Sequence, residues 1–203
     1  MIGILGGTFD PVHNGHLHVA QQVLDRVALE QVHFLPCAIP VHRGVPRESA
    51  VDRLRMIELA IDHHGKFALN TLELDRGGQS YMVDTLREIR QGNPRQTHCL
   101  ILGADAFNRL ETWKSPSEVL QLAHLLVCQR PEIELDRAIF PDRWVESIAM
   151  LGQSAEGSIL PLEIEQNPCS STGVRDMLTA QESEIQCLPP AVFEYIQQRQ
   201  LYR

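Results

Sequence analysis

The sequence predicts an α/β fold in which a mostly parallel, doubly wound sheet is flanked by helices and followed by C-terminal helices. Short apolar segments typical of buried strands alternate with segments whose apolar residues recur at helical spacing. Two of the apolar segments run directly into glycine, as strands do when they lead into a ligand-binding turn. With 203 residues, 43% hydrophobic and 22% charged, we expect residues 1–203 to form a single domain.

The predicted strands are short, apolar and separated by polar turns. They cover residues 2–5, 31–36, 67–74, 98–102, 124–128 and 159–164. The predicted helices are one beginning near Gly15, one capped by Ser49, and those at 82–89, 117–122, 172–180 and 190–198. We expect a loop at 38–46 and a turn at 75–78, whereas residues 130–157 show no clear pattern.

Glycine follows two of these strands, as Gly6-Gly7 after the first and as Gly103 after the fourth. In parallel α/β sheets, ligands bind beyond the carboxyl ends of the strands. The two glycine positions therefore indicate the same edge of the sheet, and this edge is where we expect the functional site.

Composition excludes several classes of function. The formal net charge of −8 argues against a nucleic-acid partner. No segment approaches the roughly 20 apolar residues that a membrane span requires, so we expect no membrane partner. The N-terminus lacks the basic start and cleavage site of a signal peptide, and we expect a cytoplasmic protein.

The cysteines are five in number and far apart, with no CxxC pair: Cys37, Cys99, Cys128, Cys169 and Cys187. An odd number of dispersed cysteines is typical of reduced, structural thiols in a cytosol. We therefore expect neither a disulfide framework nor a zinc site.

The first motif, residues 6–16, carries the features of a phosphate site. Its glycine pair allows close approach of the backbone to a ligand, and the helix that begins near Gly15 offers amides and a positive dipole end to an anion. The P-loop and GxGxxG patterns are absent. In their place stand His13 and His16, whose imidazoles can donate hydrogen bonds to phosphate oxygens.

A plainer interpretation of the histidines is that one caps the helix and the other lies at the surface. For an arbitrary His-x-x-His pair this would be the better choice, but the preceding Gly-Gly-Thr-Phe-Asp-Pro favours a phosphate site. A metal site formed by His13, His16 and His18 is disfavoured, because His18 has no reason to share the direction of the other two.

The second motif, residues 170–175, reads Ser-Ser-Thr-Gly-Val-Arg. The hydroxyls of Ser171 and Thr172 are good helix caps, and Arg175 would lie about one turn further on. Taken alone, this pattern is equally that of an ordinary helix start with an exposed arginine.

Together the two motifs resemble the signatures of the nucleotidyltransferase superfamily that carries a (His/Thr)-x-Gly-His box and a later Ser-x-Thr-x-x-Arg box. Within that superfamily, the chain is similar to the bacterial nicotinate-nucleotide adenylyltransferases over essentially its whole length. Further matching segments lie at residues 40–43, 79–81, 103–105, 112–113, 128–131, 195–196 and 201–202.

The resemblance implies a Rossmann-like fold and transfer of AMP from ATP to nicotinate mononucleotide, with release of pyrophosphate, in NAD biosynthesis. It implies that His13, His16 and Arg175 are the catalytic residues. The residues implied for ATP are Gly6, Gly7, Thr8, Phe9, His16, Gly103, Asp105, Ser171, Thr172 and Arg175. Mg²⁺ is expected with ATP, held by phosphates and water rather than by protein ligands.

The residues implied for the mononucleotide are His42, Arg43, Tyr81, Met82, Trp113 and Arg130. Trp113 would stack on the pyridine ring, although without the resemblance it would be read as a partly buried core residue. This chain departs from its relatives at Met82, where threonine is common, and at Lys114, where tyrosine is common. Lys114 is a candidate for favouring a carboxylate over an amide on the ring.

Other functions remain open. Nicotinamide mononucleotide or phosphopantetheine are alternative acceptors, but phosphopantetheine enzymes are shorter and carry threonine at the position of His13. A non-catalytic nucleotide sensor would be expected to lose part of a motif, and both motifs are complete here. A tRNA-charging enzyme would need an anticodon domain and a basic surface. The sequence leaves a homo-oligomer open, with residues 130–157 as either an assembly surface or a cover.

Overall fold

The structure is a computed structural model that describes residues 1–41, 44–129, 133–153 and 157–203. The strands in this part of the chain are β1 (Ile2–Gly7), β2 (Gln31–Pro36), β3 (Ile39–Pro40), β4 (Phe67–Leu69), β5 (Gln79–Ser80), β6 (His98–Gly103), β7 (His124–Gln129) and β8 (Ile159–Glu163). The α-helices are α1 (Asn14–Val27), α2 (Ala50–Ile61), α3 (Leu72–Arg76), α4 (Met82–Gly92), α5 (Ala104–Phe107), α6 (Pro116–Leu122), α7 (Ile148–Leu151), α8 (Ser171–Thr179) and α9 (Pro190–Arg199).

The main sheet has the strand order β4-β2-β1-β6-β7-β8, and each neighbouring pair is parallel. From β1 the chain winds outward in one direction, then returns to β6 beside β1 and winds outward in the other. The predicted doubly wound α/β fold is therefore confirmed. The winding direction reverses between β1 and β6, which is where ligands bind in such sheets.

The two glycine positions predicted to share an edge do so. Gly6-Gly7 ends β1 and Gly103 ends β6, and the two strands pair in register from Ile2 opposite His98 to Leu5 opposite Ile101. This edge lies on either side of the reversal, and the first motif begins there at the end of β1.

Alternate residues of the central strands point to opposite faces, as the two-residue period of a strand requires. Leu5 belongs to a buried cluster with residues of α1, α2, α8 and α9, whereas its neighbour Ile4 belongs to a second cluster with residues of α4, α5 and α6. Both faces are therefore covered, which explains why these strands are continuous apolar runs.

Two local predictions need correction. Residues 67–74 were expected to be extended throughout, but the strand ends at Leu69 and α3 begins at Leu72. The side chain of Asn70 accepts from the backbone N–H of Leu72 at 3.0 Å, and such local bonds favour a turn into a helix over a strand. The expected loop at 38–46 contains β3, which pairs with β5.

The expectation for the cysteines is correct in part. Cys37, Cys99 and Cys128 are buried and not disulfide-bonded. Cys169 and Cys187, however, form a disulfide, contrary to the prediction of reduced thiols. The chain from Cys169 passes through α8 and folds back, which brings the two Cα atoms within 5.4 Å; the separation of 18 residues gave no sign of this return.

Within the described ranges, no helix is both long and apolar enough to cross a membrane.

Candidate active site

The two motifs of the sequence meet directly. Arg175 on α8 donates from Nη1 to the main-chain oxygen of Asp10 at 2.7 Å and from Nη2 to the hydroxyl of Thr172 at 3.1 Å. The hydroxyl of Ser171 donates to the main-chain oxygen of Pro11 at 3.2 Å. Thus the second motif is hydrogen-bonded to the loop of the first, beyond the carboxyl end of β1.

The start of α8 differs slightly from the prediction. Ser170 is the N-cap, and its hydroxyl accepts from the backbone N–H of Gly173 at 3.1 Å. Ser171 and Thr172 were expected to cap the helix, but their hydroxyls bond to Pro11 and Arg175 instead. The hydroxyls therefore connect the two motifs and do not only terminate the helix.

The paired histidines lie at the start of α1. His13 is the N-cap residue, and its backbone N–H donates to Nδ1 of His16 at 3.2 Å. The two ring centroids are 3.7 Å apart. Because Nδ1 of His16 accepts a hydrogen bond, the proton of the neutral ring lies on Nε2, the nitrogen that is then able to donate to a phosphate oxygen.

His13 is more deeply buried than a helix cap needs to be, with 6% of its surface exposed. Burial lowers the pKa of His13 to about 4, so the ring is neutral near pH 7. Its Nδ1 has no hydrogen-bond partner among the described residues. A buried imidazole with an unsatisfied nitrogen costs stability, and such costs are commonly found at functional sites.

Phe9 fixes the shape of the loop. It has a positive φ of 50°, is 1% exposed, and its ring meets His16 edge-on with centroids 4.9 Å apart. A Cβ on Gly7 would stand 3.0 Å from the Phe9 ring. Gly7 therefore makes room for Phe9, which in turn contacts His16.

Gly15 is required because the His13 ring and the backbone of Cys169 both lie close to its Cα. A Cβ at this position would lie 2.9 Å from Nδ1 of His13 and 3.0 Å from the main-chain oxygen of Cys169. The backbone N–H of Asn14 also donates to the main-chain oxygen of Cys187 at 2.8 Å. The disulfide-linked segment therefore packs against the start of α1, immediately beside the histidine pair.

Arg53, which the sequence did not single out, contacts the loop of the first motif. It is 1% exposed and donates to the main-chain oxygens of Thr8 at 2.7 Å and Cys37 at 2.9 Å. It thereby joins the loop after β1 to the segment after β2. A sequence signal existed, since Arg53 precedes Met56, Ile57 and Ala60 at the spacing of the apolar face of α2.

The start of α4 meets the first motif. Tyr81 is the N-cap of α4 and Met82 its first residue, and a Cβ on Gly6 would lie 3.0 Å from Cε of Met82. Lys114 lies over the ring of Tyr81, with Nζ 4.7 Å from the centroid, and forms an ion pair with Asp84 at 2.7 Å. The structure thus places the residues expected at the pyridine ring next to those expected at ATP.

The remaining predicted residues end or follow β6 along the chain, or fall outside the described residues. Gly103 precedes α5, which contains the exposed Asp105, and the half-buried Trp113 follows a little further along the chain. His42, Arg43 and Arg130 fall outside the residues that the structure describes, so their roles stay predictions.

The described residues contain no group of three or more His, Cys, Asp or Glu side chains that could hold a metal ion. The Nε2 atom of His18 is hydrogen-bonded to the main-chain oxygen of Glu165 at 2.9 Å. The carboxylate of Asp10, the acidic group of the first motif, already accepts from Tyr202, Arg47 and Glu48.

The comparisons with known proteins agree with this geometry. The cytidylyltransferase-like family matches residues 4–177. A protein of Methylococcus capsulatus named "probable nicotinate-nucleotide adenylyltransferase" is 44% identical over 100% of this chain and 99% of its own. A protein of Hydrogenovibrio crunogenus with the same name is 38% identical over 100% of this chain and 98% of its own.

Among solved structures, the Plasmodium falciparum nicotinic acid mononucleotide adenylyltransferase complexed with NaAD has the same fold. The two structures superpose with a TM-score of 0.78 and 19% sequence identity. The match covers 99% of this chain and 96% of that one. The same enzyme complexed with APC gives a TM-score of 0.76.

A parallel sheet that reverses beside a histidine box and an arginine box defines a nucleotidyltransferase, and the chain belongs to the cytidylyltransferase-like family. Its full-length similarity to the curated relatives places it, within that family, with the nicotinate-nucleotide adenylyltransferases.

Proposed function

We propose that this chain transfers AMP from ATP to nicotinate mononucleotide, giving nicotinate adenine dinucleotide and pyrophosphate for NAD biosynthesis. The observation that carries this proposal is the direct hydrogen bond between Arg175 and Asp10, which brings the second motif to the loop that holds His16. The family membership of the chain and its complete motifs support the same reaction.

In the proposed reaction, a phosphate oxygen of the mononucleotide attacks the α-phosphorus of ATP. A new O–P bond forms, the bond to the bridging oxygen breaks, and pyrophosphate leaves with that electron pair. The nucleophile is already anionic, so no general base is needed. Catalysis consists of positioning the two substrates and stabilising the charge that develops on the phosphates.

The donors for the phosphates come from both motifs. His16 would donate from Nε2 to the reacting phosphate, and His13, Thr8 and the first amides of α1 would support it. Arg175 would reach the pyrophosphate portion while keeping its bond to Asp10, because a guanidinium has five N–H donors. These local donors would allow a protein with a net charge of −8 to bind two anionic substrates.

Other residues would complete the ATP site. We assign the loop residues Gly6, Gly7 and Phe9 to its walls, and Ser171 and Thr172 to the phosphates. Gly103 and Asp105, which follow β6 at the same edge, would approach the adenosine ribose.

The mononucleotide would lie beside the start of α4. The backbone amides near Tyr81 and Met82 would meet the pyridine carboxylate at the positive end of that helix, and Trp113 would stack on the ring. On the resemblance alone, we assign His42 and Arg43 to the mononucleotide phosphate and Arg130 to the mononucleotide site.

Mg²⁺ fits the reaction as part of the ATP substrate. The side chains of the two motifs are mostly nitrogen and hydroxyl donors, and the carboxylate of Asp10 is occupied by three hydrogen bonds. Such a set does not form an oxygen cage, so the ion would be held by phosphates and water. Its contribution is to neutralise phosphate charge.

We further propose that the protein works in the cytoplasm, where both nucleotides are available. If it assembles, we propose that it does so with further copies of itself, as a homo-oligomer. Three buried cysteines outside the disulfide agree with a reducing compartment. The disulfide between Cys169 and Cys187 is uncommon there, so its redox state in the cell is worth measuring.

The test is to supply Mg-ATP with nicotinate mononucleotide, nicotinamide mononucleotide or phosphopantetheine and to measure pyrophosphate release. We expect turnover with the nicotinate compound and its loss in His16→Ala. Turnover with phosphopantetheine alone would mean that phosphopantetheine, and not nicotinate mononucleotide, is the acceptor. If ATP binds but none of the three gives release, the protein is a nucleotide sensor. His18→Ala is the matched control, since His18 lies on the same helix but bonds to Glu165.

A further inference from the structure

The end of the chain reaches the first motif. The hydroxyl of Tyr202 donates to Oδ1 of Asp10 at 2.8 Å, across 192 residues. Its backbone N–H donates to Oε1 of Glu48 at 2.7 Å. Tyr202 is 3% exposed and adopts a positive φ of 61°, a conformation that a bulky residue rarely takes unless its surroundings hold it there.

Asp10 is the point at which four segments meet. Besides Tyr202, its carboxylate accepts from the backbone N–H groups of Arg47 at 2.7 Å and Glu48 at 3.3 Å. Its main-chain oxygen accepts from Arg175. The first motif, the segment before α2, the second motif and the C-terminus are thus joined through one residue.

The chemistry of the Tyr202–Asp10 contact favours a persistent bond. Burial raises the pKa of Tyr202, and the negative charge of Asp10 raises it further. The phenol therefore keeps its proton and remains a donor at any pH at which the enzyme would work. A hydrogen bond from a neutral donor to a buried carboxylate is also stronger than one between neutral groups.

We propose that Tyr202 is a positioning residue for adenylyl transfer, acting through Asp10 to hold Arg175 in place relative to His16. This inference rests on the proposed function. If the hydroxyl is removed, the carboxylate keeps two backbone donors, so the loop stays folded but Asp10 is less constrained. Its main-chain oxygen, to which Arg175 is bonded, then has more freedom, and small misplacements of catalytic groups lower rates strongly.

The variant Tyr202→Phe isolates this effect, and the chain offers a matched control in Tyr195→Phe. The hydroxyl of Tyr195 also donates to a carboxylate, Oδ1 of Asp52, at 2.8 Å. That pair joins α9 to α2 and does not involve either motif. Both variants remove one phenol hydroxyl that donates to a carboxylate; because Tyr202 is the more deeply buried, its loss should cost more unfolding free energy, which is measured separately.

The experiment measures steady-state kinetics, equilibrium ATP affinity and the free energy of unfolding for wild type and both variants. In Tyr202→Phe we expect kcat/KM for ATP to fall about tenfold and ATP affinity to fall several-fold, while KM for nicotinate mononucleotide stays within about twofold. In Tyr195→Phe we expect both ATP parameters to match wild type.

Equal changes in the two variants, or a uniform change in both substrates' KM values, would mean that Tyr202 has only a structural role and would overturn the inference. A wild type that releases no pyrophosphate would instead overturn the proposed function. In that case the equilibrium ATP affinities still test the inference. A loss of ATP affinity in Tyr202→Phe but not in Tyr195→Phe would support it. Equal ATP affinities in the two variants would overturn it.

Discussion

Arg175 donates a hydrogen bond of 2.7 Å to the main-chain oxygen of Asp10, a residue 165 positions earlier in the chain. The arginine of the second motif is therefore oriented by other groups of the protein, Asp10 and Thr172. Preorganised donors stabilise developing charge without a reorganisation cost during the reaction. The hydrogen bond that joins the two motifs is thus already part of the fold.

Replacing Arg175 should test whether this orientation contributes to catalysis. We expect Arg175→Ala to lower kcat/KM for ATP by about 100-fold or more, as is typical for loss of a preorganised charged donor. Arg175→Lys should recover only part of this, because an ammonium group lacks the planar fork that spans Asp10 and Thr172. The measurement is pyrophosphate release at varied ATP.

Asp176→Asn is the control for this pair, because it changes the exposed neighbour on the same helix. Its kinetics should match wild type. If Arg175→Lys were as active as wild type, charge alone would suffice and the forked geometry would have no role.

The preference for a carboxylate on the pyridine ring should respond in opposite directions to two substitutions. Lys114 is paired with Asp84 at 2.7 Å beside Tyr81, so its charge is partly compensated. Lys114→Ala should lower the ratio of nicotinate to nicotinamide rates, and Asp84→Asn should raise it. Both side chains are partly exposed, so each change should be at most about fivefold.

The measurement compares kcat/KM for the two mononucleotides in each variant. An unchanged ratio in Lys114→Ala would remove Lys114 from specificity and leave the backbone amides at the start of α4 as the source of discrimination. A change in the same direction for both variants would show that the ion pair acts by holding Tyr81 and not through its charge.

The sheet edge was predictable from the sequence because its signals are local. Strand β1 and strand β6 are apolar runs that end in glycine, and the parallel α/β class places both carboxyl ends at one edge. The start of α1 could be predicted for the same reason, since apolar residues recur at helical spacing after Asn14 and Gly15.

The contacts that assemble the site were not predictable, because each depends on residues far apart in sequence. Nothing near Asp10 reveals that Tyr202 reaches it. Similarly, the pairing of Cys169 with Cys187 follows from the return of the chain after α8. Arg53 is the intermediate case: its position on an apolar helix face was visible, but its two carbonyl partners were not.

The disulfide should stabilise the protein and support activity together. It closes the segment that holds α8, and the main-chain oxygen of Cys187 accepts from the N–H of Asn14 in the first motif. Reduction with a dithiol should lower the free energy of unfolding by about 3 kcal/mol and should also lower kcat. Denaturation curves and pyrophosphate release with and without reductant measure both.

The double variant Cys169→Ser/Cys187→Ser is the control, since reductant should leave its stability and activity unchanged. A thiol titration of the denatured, unreduced protein provides an independent check. Three reactive thiols are expected, from Cys37, Cys99 and Cys128, whereas five would contradict the disulfide.

Stability should fall on mild acidification because histidines are buried in the neutral form. The pKa of His98 is lowered from 6.5 to about 4, first by burial and then by nearby positive charges that include Arg90. Between these two values the unfolded chain binds a proton that the folded chain does not. The contribution is therefore complete above pH 6.5 and is lost as the pH falls towards 4.

The size of this effect can be measured with a substitution remote from the site. From pH 7 to pH 5 one such histidine should cost about 2 kcal/mol of unfolding free energy. His98 begins β6, at the opposite end of the strand from Gly103, so His98→Gln should flatten the pH dependence by that amount without affecting pyrophosphate release at pH 7. If variant and wild type show the same pH dependence, the pKa of His98 is the same in the folded and the unfolded chain. The remaining slope in the variant should come mainly from His13, whose pKa is also lowered to about 4.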